Sequence, residues 1–390
     1  FCHTAKIKNL SLVMLDQGLR IQKINSRKEL DNFIKLPAKL YLKEPRWVPP
    51  LYADEYQFHD PQKNPALAYT IVERWIAYKN DEPVGRIMGI IHHEYNRLHE
   101  EKTARFFQMD CINDLQVASL LLQTVEEWAS ENEMNQLIGP FGFSDKDPQG
   151  FQIDGLEHLP VIATPAHPAY MPLLLESLGY SKYLDCVSYR IPIPDQLPAL
   201  YERVLTRVAQ NTQVHLLEFR SRKELKPYVL PVFQLINETY RSLFGFVPMS
   251  DSEIDKMVKQ YLPILNPSFV KAMVDDKGIL LSFVVAMPDM SKGLQKAKGK
   301  LFPFGLLYIL SAMRKSKQLN LLLGAVKEGY RGKGLDVFMA MALIKTASAK
   351  RMTHMDSHLI LETNRTMRAE CEKLGGELYK RFRVFIKELK

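Results

Sequence analysis

The chain has 390 residues and a mass of 45.0 kDa, too long for one compact core of ordinary size, so two domains are the leading expectation. Hydrophobic residues at 46% and charged residues at 25% exclude a disordered or fibrous chain, and no run reaches the ~18 apolar residues of a membrane-crossing helix. The net charge of +8 is concentrated late, where residues 292–390 hold 21 Lys and Arg against 8 Asp and Glu; this points to a polyanion or phosphorylated ligand, against the plainer reading of a basic surface that aids solubility.

In chain order, residues 1–19 read as an N-terminal extension. Residues 10–15 are a brief apolar stretch broken by Ser11, with no cleavage site of the signal-peptide kind, and Met14 is a candidate initiator. Residues 71–78 and 84–91, rich in Ile, Val and Trp, form a predicted β-hairpin around Asn80-Asp81-Glu82-Pro83. His92, His93 and His99 follow beside Glu94 in no metalloenzyme spacing, so no metal is expected. Residues 115–131 carry apolar positions at helical spacing, with Asn113 and Gln116 as a capping box. A strand over 137–143 runs into the polar loop 144–150, a helix over 170–178 stops at Gly179, and 183–191 is a closing strand.

A similar order returns. Residues 269–274 and 279–287 form a second predicted hairpin, 320–326 an apolar strand and 335–350 a helix. A strand over 359–363, a helix over 366–374 stopped by Gly375 and a strand over 378–386 complete it. Met171, Glu176, Leu178 and Gly179 line up with Met367, Glu372, Leu374 and Gly375, and the hairpin turns at Asp81 and Asp276 fall at nearly the same offset. A duplicated domain is the reading that follows. Pro192, Pro194 and Pro198 interrupt the pattern, so the expected domains are 20–195 and 196–390, the second opening on a connecting helix over 196–213. Cys2, Cys111, Cys186 and Cys371 lie far apart with no C-x-x-C spacing, as expected of a cytoplasmic protein with reduced thiols.

The most specific stretch is 321–342, an apolar strand ending at Val326, the loop Lys327-Glu328-Gly329-Tyr330-Arg331-Gly332-Lys333-Gly334, and a helix opening at Leu335. Glycines let the backbone approach a ligand closely, and the free amides and dipole of the helix start favour negative charge, so the arrangement suits a phosphate. It is neither a Walker loop nor a dinucleotide fingerprint.

Here the sequence resembles the Gcn5-related N-acetyltransferase superfamily, whose acyl-coenzyme A signature is Arg/Gln-x-x-Gly-x-Gly/Ala. Arg331, Gly332, Lys333, Gly334 and Leu335 follow that pattern after Val326 and Tyr330, and Asp336 departs from it. The family's downstream Asn-x-x-Ala-x-x-x-Tyr-x-x-x-Gly-Phe is met at Asn364 and Gly375, with Met367, Cys371 and Gly376 in the Ala, Tyr and Phe places. The likeness covers residues 214–390 and extends through the repeat to 20–191. Gly139-Pro140-Phe141-Gly142, Ile153-Asp154-Gly155 and residues 167–170 resemble the first halves of bacterial tandem proteins of this fold.

The resemblance implies an α/β, mixed-sheet chain of two tandem acyl-coenzyme A N-acyltransferase-like domains. It implies acyl transfer from acetyl-coenzyme A or another acyl-coenzyme A to a small-molecule or peptide amine, with Val326, Arg331, Gly332, Lys333, Gly334, Leu335 and Asn364 toward the cofactor. Such transfer needs a base, since an alkylamine of pKa near ~10 is mostly protonated at neutral pH, and donors for the tetrahedral oxyanion. Glu328 and Glu362 read as ordinary surface carboxylates and Cys371 as a buried core thiol, so no catalytic residue is assigned. Asp145, Asp147, Asp154 and Glu157 form an acidic loop that could attract a cationic amine or simply be solvated. Asp154 and Tyr170 are the acceptor-site candidates, and Tyr170, like Trp75 and Trp128, also has the character of a core or interface aromatic. Two other readings stand beside the enzyme: a ligand-binding or regulatory protein that lost turnover, and an aminoacyl-tRNA-dependent transferase, for which the basic last quarter would suit the nucleic acid. Neither a membrane partner nor a metal is expected.

Overall fold

The computed structural model describes residues 18–164, 167–194 and 213–389, with Arg203 and Thr206 between; the predicted connecting helix lies almost wholly outside them. β1 (Leu19–Lys23) leads into α1 (Arg27–Leu40), started by a reciprocal cap in which Ser26 accepts from the Glu29 amide and Glu29 from the Ser26 amide. After α2 (Tyr52–Phe58), a short 3-10 turn capped by Asn64 delivers the chain into β2 (Thr70–Lys79) and β3 (Glu82–His92). Asn80 and Asp81 join them at φ 50° and 65°, the left-handed two-residue turn whose twist matches that of paired strands. The half continues through α3 (His93–His99), β4 (Thr103–Cys111), α4 (Leu115–Glu131), β5 (Gln136–Gly139), β6 (Phe151–Asp154), α5 (Tyr170–Ser177) and β7 (Ser181–Pro192).

The second half repeats this order with the same local devices and one helix more, two standing where the first half has α3. It runs β8 (Val214–Glu218), α6 (Arg222–Thr239), α7 (Asp251–Tyr261), β9 (Val270–Asp275), β10 (Leu280–Pro288), α8 (Ser291–Ala297), α9 (Gly305–Lys315) and β11 (Gln318–Val326). It ends with α10 (Leu335–Ala349), β12 (His354–Asp356), β13 (Ile360–Leu361), α11 (Arg365–Lys373) and β14 (Glu377–Glu388). Ser221 caps α6 as Ser26 caps α1, and Asn266 accepts from the Ser268 amide as Asn64 does from Ala66. Gly179 and Gly375 both take positive φ after their helices, the left-handed stop that only glycine adopts without cost.

All these strands form one fourteen-stranded, mostly antiparallel sheet, in the order β1-β2-β3-β4-β5-β14-β7-β12-β11-β10-β9-β8 with β6 and β13 alongside β14 and β7. Read from either edge the order is the same, so the two hairpins hold matching places. The last strands are exchanged across the centre: β14 pairs with β5 of the first half, and β7 with β12 of the second. Asp185, 1% exposed on β7, is held there by Arg383 at 2.9 Å and Arg381 at 3.2 Å from β14.

Each half has one short parallel pair that ends early. β4 runs parallel to β5 from Thr103↔Gln136 to Arg105↔Ile138, and β11 to β12 from Gln318↔His354 to Asn320↔Asp356. Beyond those points β4 and β11 continue without that partner, and each carries a bulge against its hairpin neighbour. α4 covers the first half with Val117, Leu121, Leu122 and Val125, and α10 covers the second with Leu343, Ile344 and Ala347.

Several expectations are corrected. Asp114, not Asn113, caps α4, its carboxylate accepting from the Gln116 and Val117 amides. The strand predicted over 137–143 stops at Gly139, where Pro140 removes a donor. The strand predicted over 359–363 shrinks to Ile360–Leu361, and the parallel strand is His354–Asp356. Asp145 and Asp147 are not solvated: Asp145 pairs with Lys146, and Asp147 accepts from the Phe143 and Ser144 amides while burial pushes its carboxyl up to about 6.

Candidate functional site

The glycine loop turns the end of β11 into the start of α10. Gly332 and Gly334 take φ 72° and 84°, Gly334 is the N-cap residue, and no side chain caps this helix. Its first amides therefore have no partner within the helix or from a cap. Arg331 and Lys333 are exposed beside it, Arg331 donating to the Val326 carbonyl at 3.4 Å and Lys333 lying over the Tyr330 ring at 4.9 Å. A helix start with free donors and two flanking cations can hold a phosphate. The matching helix start in the first half cannot, because the Asp114 carboxylate already occupies the α4 amides.

A shallow cleft on the first half is lined by Glu44, Arg46, Trp47, Gln152, Leu156, His158, Pro160 and His167. Behind it the end of β4 carries an unusually polar interior. Asp110 is 3% exposed and accepts from Arg86 Nε at 2.7 Å, while His167 Nε2 stands 3.7 Å from its other oxygen. Burial works to raise the Asp110 carboxyl, but the charge of Arg86, then that of His167, outweighs it and holds the group below the usual range. Burial pushes the His167 imidazole below its ordinary value, with Asp110 opposing. At the β4 bulge, Gln108 takes φ 45° and donates to Glu55 at 2.8 Å.

In this region the Tyr41 hydroxyl is directed to Asp110 and the His59 ring to the Gln108 side chain, and His167 Nδ1 is the buried polar atom left without a hydrogen-bond partner. Leaving such an atom unsatisfied costs about 1–3 kcal/mol, so His167 Nδ1 marks a place for a polar ligand or water. With Nε2 turned to Asp110, His167 Nδ1 is the nitrogen left to accept a proton.

The cleft is tied to the second half where β11 and β12 part. Asp356, fully buried at the end of β12, accepts from the Tyr379 hydroxyl, from the His358 amide at 2.6 Å and from Lys380 at 3.5 Å. The Tyr379 ring stacks edge-on against His158 of the cleft at 4.9 Å, and His358 Nε2 bonds the Ile162 carbonyl at 2.9 Å. Burial lowers the Lys380 ammonium and raises the Tyr379 hydroxyl.

The sequence candidates fall into separate places. Val326 and Leu335 turn inward, Leu335 2% exposed against Val214, Met273, Leu281 and Met339, so these two could offer a ligand only backbone groups. Asn364 caps α11 through the Met367 amide. Asp154 is exposed and bonds the Gly155 amide, and Tyr170 is half-buried with its hydroxyl on the Cys111 carbonyl at 2.7 Å. Neither bonds the glycine loop. Cys371 is 1% exposed in the core, its thiol pushed up to about 12 by burial. Glu362 pairs with Lys182 and Arg381 at the central seam, and Glu328 is exposed. His167 falls in the 167–170 segment that carries part of the resemblance, Asp110, Gln108 and Glu55 fall in none, and only the fold brings the four together. Among the described residues no group of three His, Cys, Asp or Glu could hold a metal ion.

No family model matches the chain. It is 26% identical over 381 residues to Protein YghO of Escherichia coli, covering 96% of each, and 26% identical over 378 residues to the bacterial ceramide synthase of Caulobacter vibrioides, covering 95% of this chain and 98% of that one. Among solved structures it resembles a tandem GNAT protein from the clavulanic acid biosynthesis pathway, with TM-score 0.53 at 14% identity over 95% of this chain and 99% of that one. A Gcn5-related N-acetyltransferase from Sphaerobacter thermophilus gives TM-score 0.51 at 10% identity over 97% and 98%. The fold is therefore the tandem Gcn5-related N-acetyltransferase fold.

Proposed function

With that tandem fold as the frame, we propose that the chain transfers an acyl group from an acyl-coenzyme A to an amine. The observation that carries the reading is the uncapped start of α10 behind a positive-φ glycine loop, set beside the carboxylate-capped start of α4. The cofactor phosphates would lie on the amides following Gly334, between Arg331 and Lys333. The acceptor amine would enter at the shallow cleft beside His167.

There His167 serves as the base. Its Nδ1 takes the ammonium proton, Asp110 stabilises the imidazolium from the Nε2 side, and the neutral amine attacks the thioester carbonyl. The C–S bond breaks, the amide forms, and the proton that the attacking nitrogen sheds goes to the departing thiolate. The likeness to a protein named bacterial ceramide synthase supports a long-chain amine as the acceptor class. The test is calorimetry with coenzyme A, then a screen of long-chain and short amines for free thiol release from acyl-coenzyme A. Release that requires an amine supports the reading, and release with none of them counts against it.

A further inference from the structure

No helix of the described residues is long and apolar enough to cross a membrane. The expectation of no membrane partner rested on that absence, and surface attachment is a separate matter. Six of the large exposed apolar side chains fall within nine residues, 302–310. Phe302 is 79% exposed, Phe304 58% and Leu307 61%, with Leu306, Tyr308 and Leu310 beside them. α9 buries Gly305, Ile309 and Met313 at four-residue spacing against α8 and turns Leu306, Leu307 and Leu310 outward.

The helices beneath this face are closely packed. A Cβ on Gly293 would sit 2.6 Å from Ile309 Cα, so α8 and α9 are in backbone contact, and one on Gly305 would sit 1.8 Å from the Lys300 carbonyl oxygen in the turn between them. The charge within the hairpin itself is of one sign. Lys292, Lys296, Lys298, Lys300, Arg314, Lys315 and Lys317 are all exposed, no Asp or Glu occurs between Ser291 and Lys317, and none of the seven joins an ion pair among the described residues. The hairpin also sits against the cleft: Ser291 Oγ donates to the Pro160 carbonyl at 2.7 Å, and Gln295 Nε2 to the Pro45 and Trp47 carbonyls at 2.9 and 3.1 Å.

We propose that the outer face of the α8–α9 hairpin docks the protein on an anionic lipid bilayer. Phe302, Phe304, Leu307 and Leu310 enter the boundary between headgroups and acyl chains, and the surrounding lysines meet the lipid phosphates. A protein partner or ordinary solvation would not require both the aromatic-aliphatic cluster and a hairpin whose charges are all basic. The proposal stands on this surface alone and is independent of the acyl-transfer reading.

Flotation of the full chain with phosphatidylcholine vesicles, with and without phosphatidylglycerol, tests it. The protein should float with the anionic vesicles, less so at high salt, and remain unbound with pure phosphatidylcholine. Leu307→Glu, and separately Lys296→Glu with Lys300→Glu, should each lower the bound fraction by about tenfold while thermal unfolding stays as in the parent. No flotation with anionic vesicles, or flotation undiminished in both variants, overturns the proposal. So does light scattering that shows a dimer dissolved by Leu307→Glu without vesicle binding, since the face would then join two copies of the chain.

Discussion

Asp114 and Gly334 stand at matching helix starts in the two halves and do opposite things: the Asp114 carboxylate takes the first amides of α4, and Gly334 leaves those of α10 uncovered. The same order of elements thus yields one self-satisfied helix start and one suited to an anion. Transplanting the first cap tests the difference. Gly334→Asp would place a carboxylate over the α10 amides and force an aspartate to φ 84°. Coenzyme A affinity should fall by at least about tenfold, or ~1.4 kcal/mol, by titration calorimetry. Unchanged affinity would mean that the phosphates bind elsewhere.

Asp336, exposed in the first turn of α10, is the departure from the family pattern. A carboxylate there favours the helix dipole in the empty protein and repels an incoming phosphate. Asp336→Gly should tighten coenzyme A binding by up to about tenfold and lower the unfolding temperature slightly. Weaker binding would show that the carboxylate positions the loop instead.

The loop was legible in the sequence because a backbone at positive φ beside a ligand leaves little choice but glycine. The hairpins were legible because alternating Ile, Val and Trp around a polar turn match a buried strand pair. His167 and Asp110 were not, since they meet only after β4 and the segment after β6 are folded against each other. β12 escaped notice because its His-Met-Asp carries no apolar alternation, and Asp356 is buried only by the partners that Tyr379 and Lys380 bring from β14. The exchange of β7 and β14 was equally hidden, because either strand's pattern fits either side of the seam.

That exchange has a consequence for truncation. Removing β14 strips β5 and β7 of their shared neighbour and leaves Asp185 buried without Arg381 and Arg383. A chain ending at Gly375 should lose cooperative unfolding in both halves by circular dichroism and calorimetry. A native-like transition from the first half would contradict the interdependence.

Acid should destabilise the fold through neutral buried histidines. Burial holds His59 down at about 2 and His92 at about 3, against an ordinary 6.5, so the unfolded chain takes up protons that the folded one refuses. Their stabilising effect is full above about pH 6.5 and is lost as pH falls below it, by roughly 2 kcal/mol per histidine at about pH 5. His92 Nδ1 caps α3 through the Tyr95 amide, and His92→Asn keeps a capping side chain without the titration. Urea unfolding across pH should show a shallower acid slope in that variant; an unchanged slope would move the effect to other groups.

If His167 is the base, His167→Gln should cut amine-dependent thiol release by ~10²–10⁴ while leaving coenzyme A affinity within about twofold. In the parent the rate should rise with pH through the lowered imidazole pKa, below the ordinary 6.5, and the variant should lose that limb. Asp110→Asn should shift the limb to lower pH, because the imidazolium loses its stabilising charge. A retained rate and limb in His167→Gln would assign the proton to another group.

The central claim, a cofactor site on the second half's glycine loop, is tested most directly by titrating the full chain with coenzyme A in a calorimeter at two salt concentrations. We expect saturable heat, weaker affinity at the higher salt and an affinity at least about tenfold weaker in Gly334→Asp. Absence of heat at millimolar coenzyme A, or heat that Gly334→Asp retains in full, would contradict it.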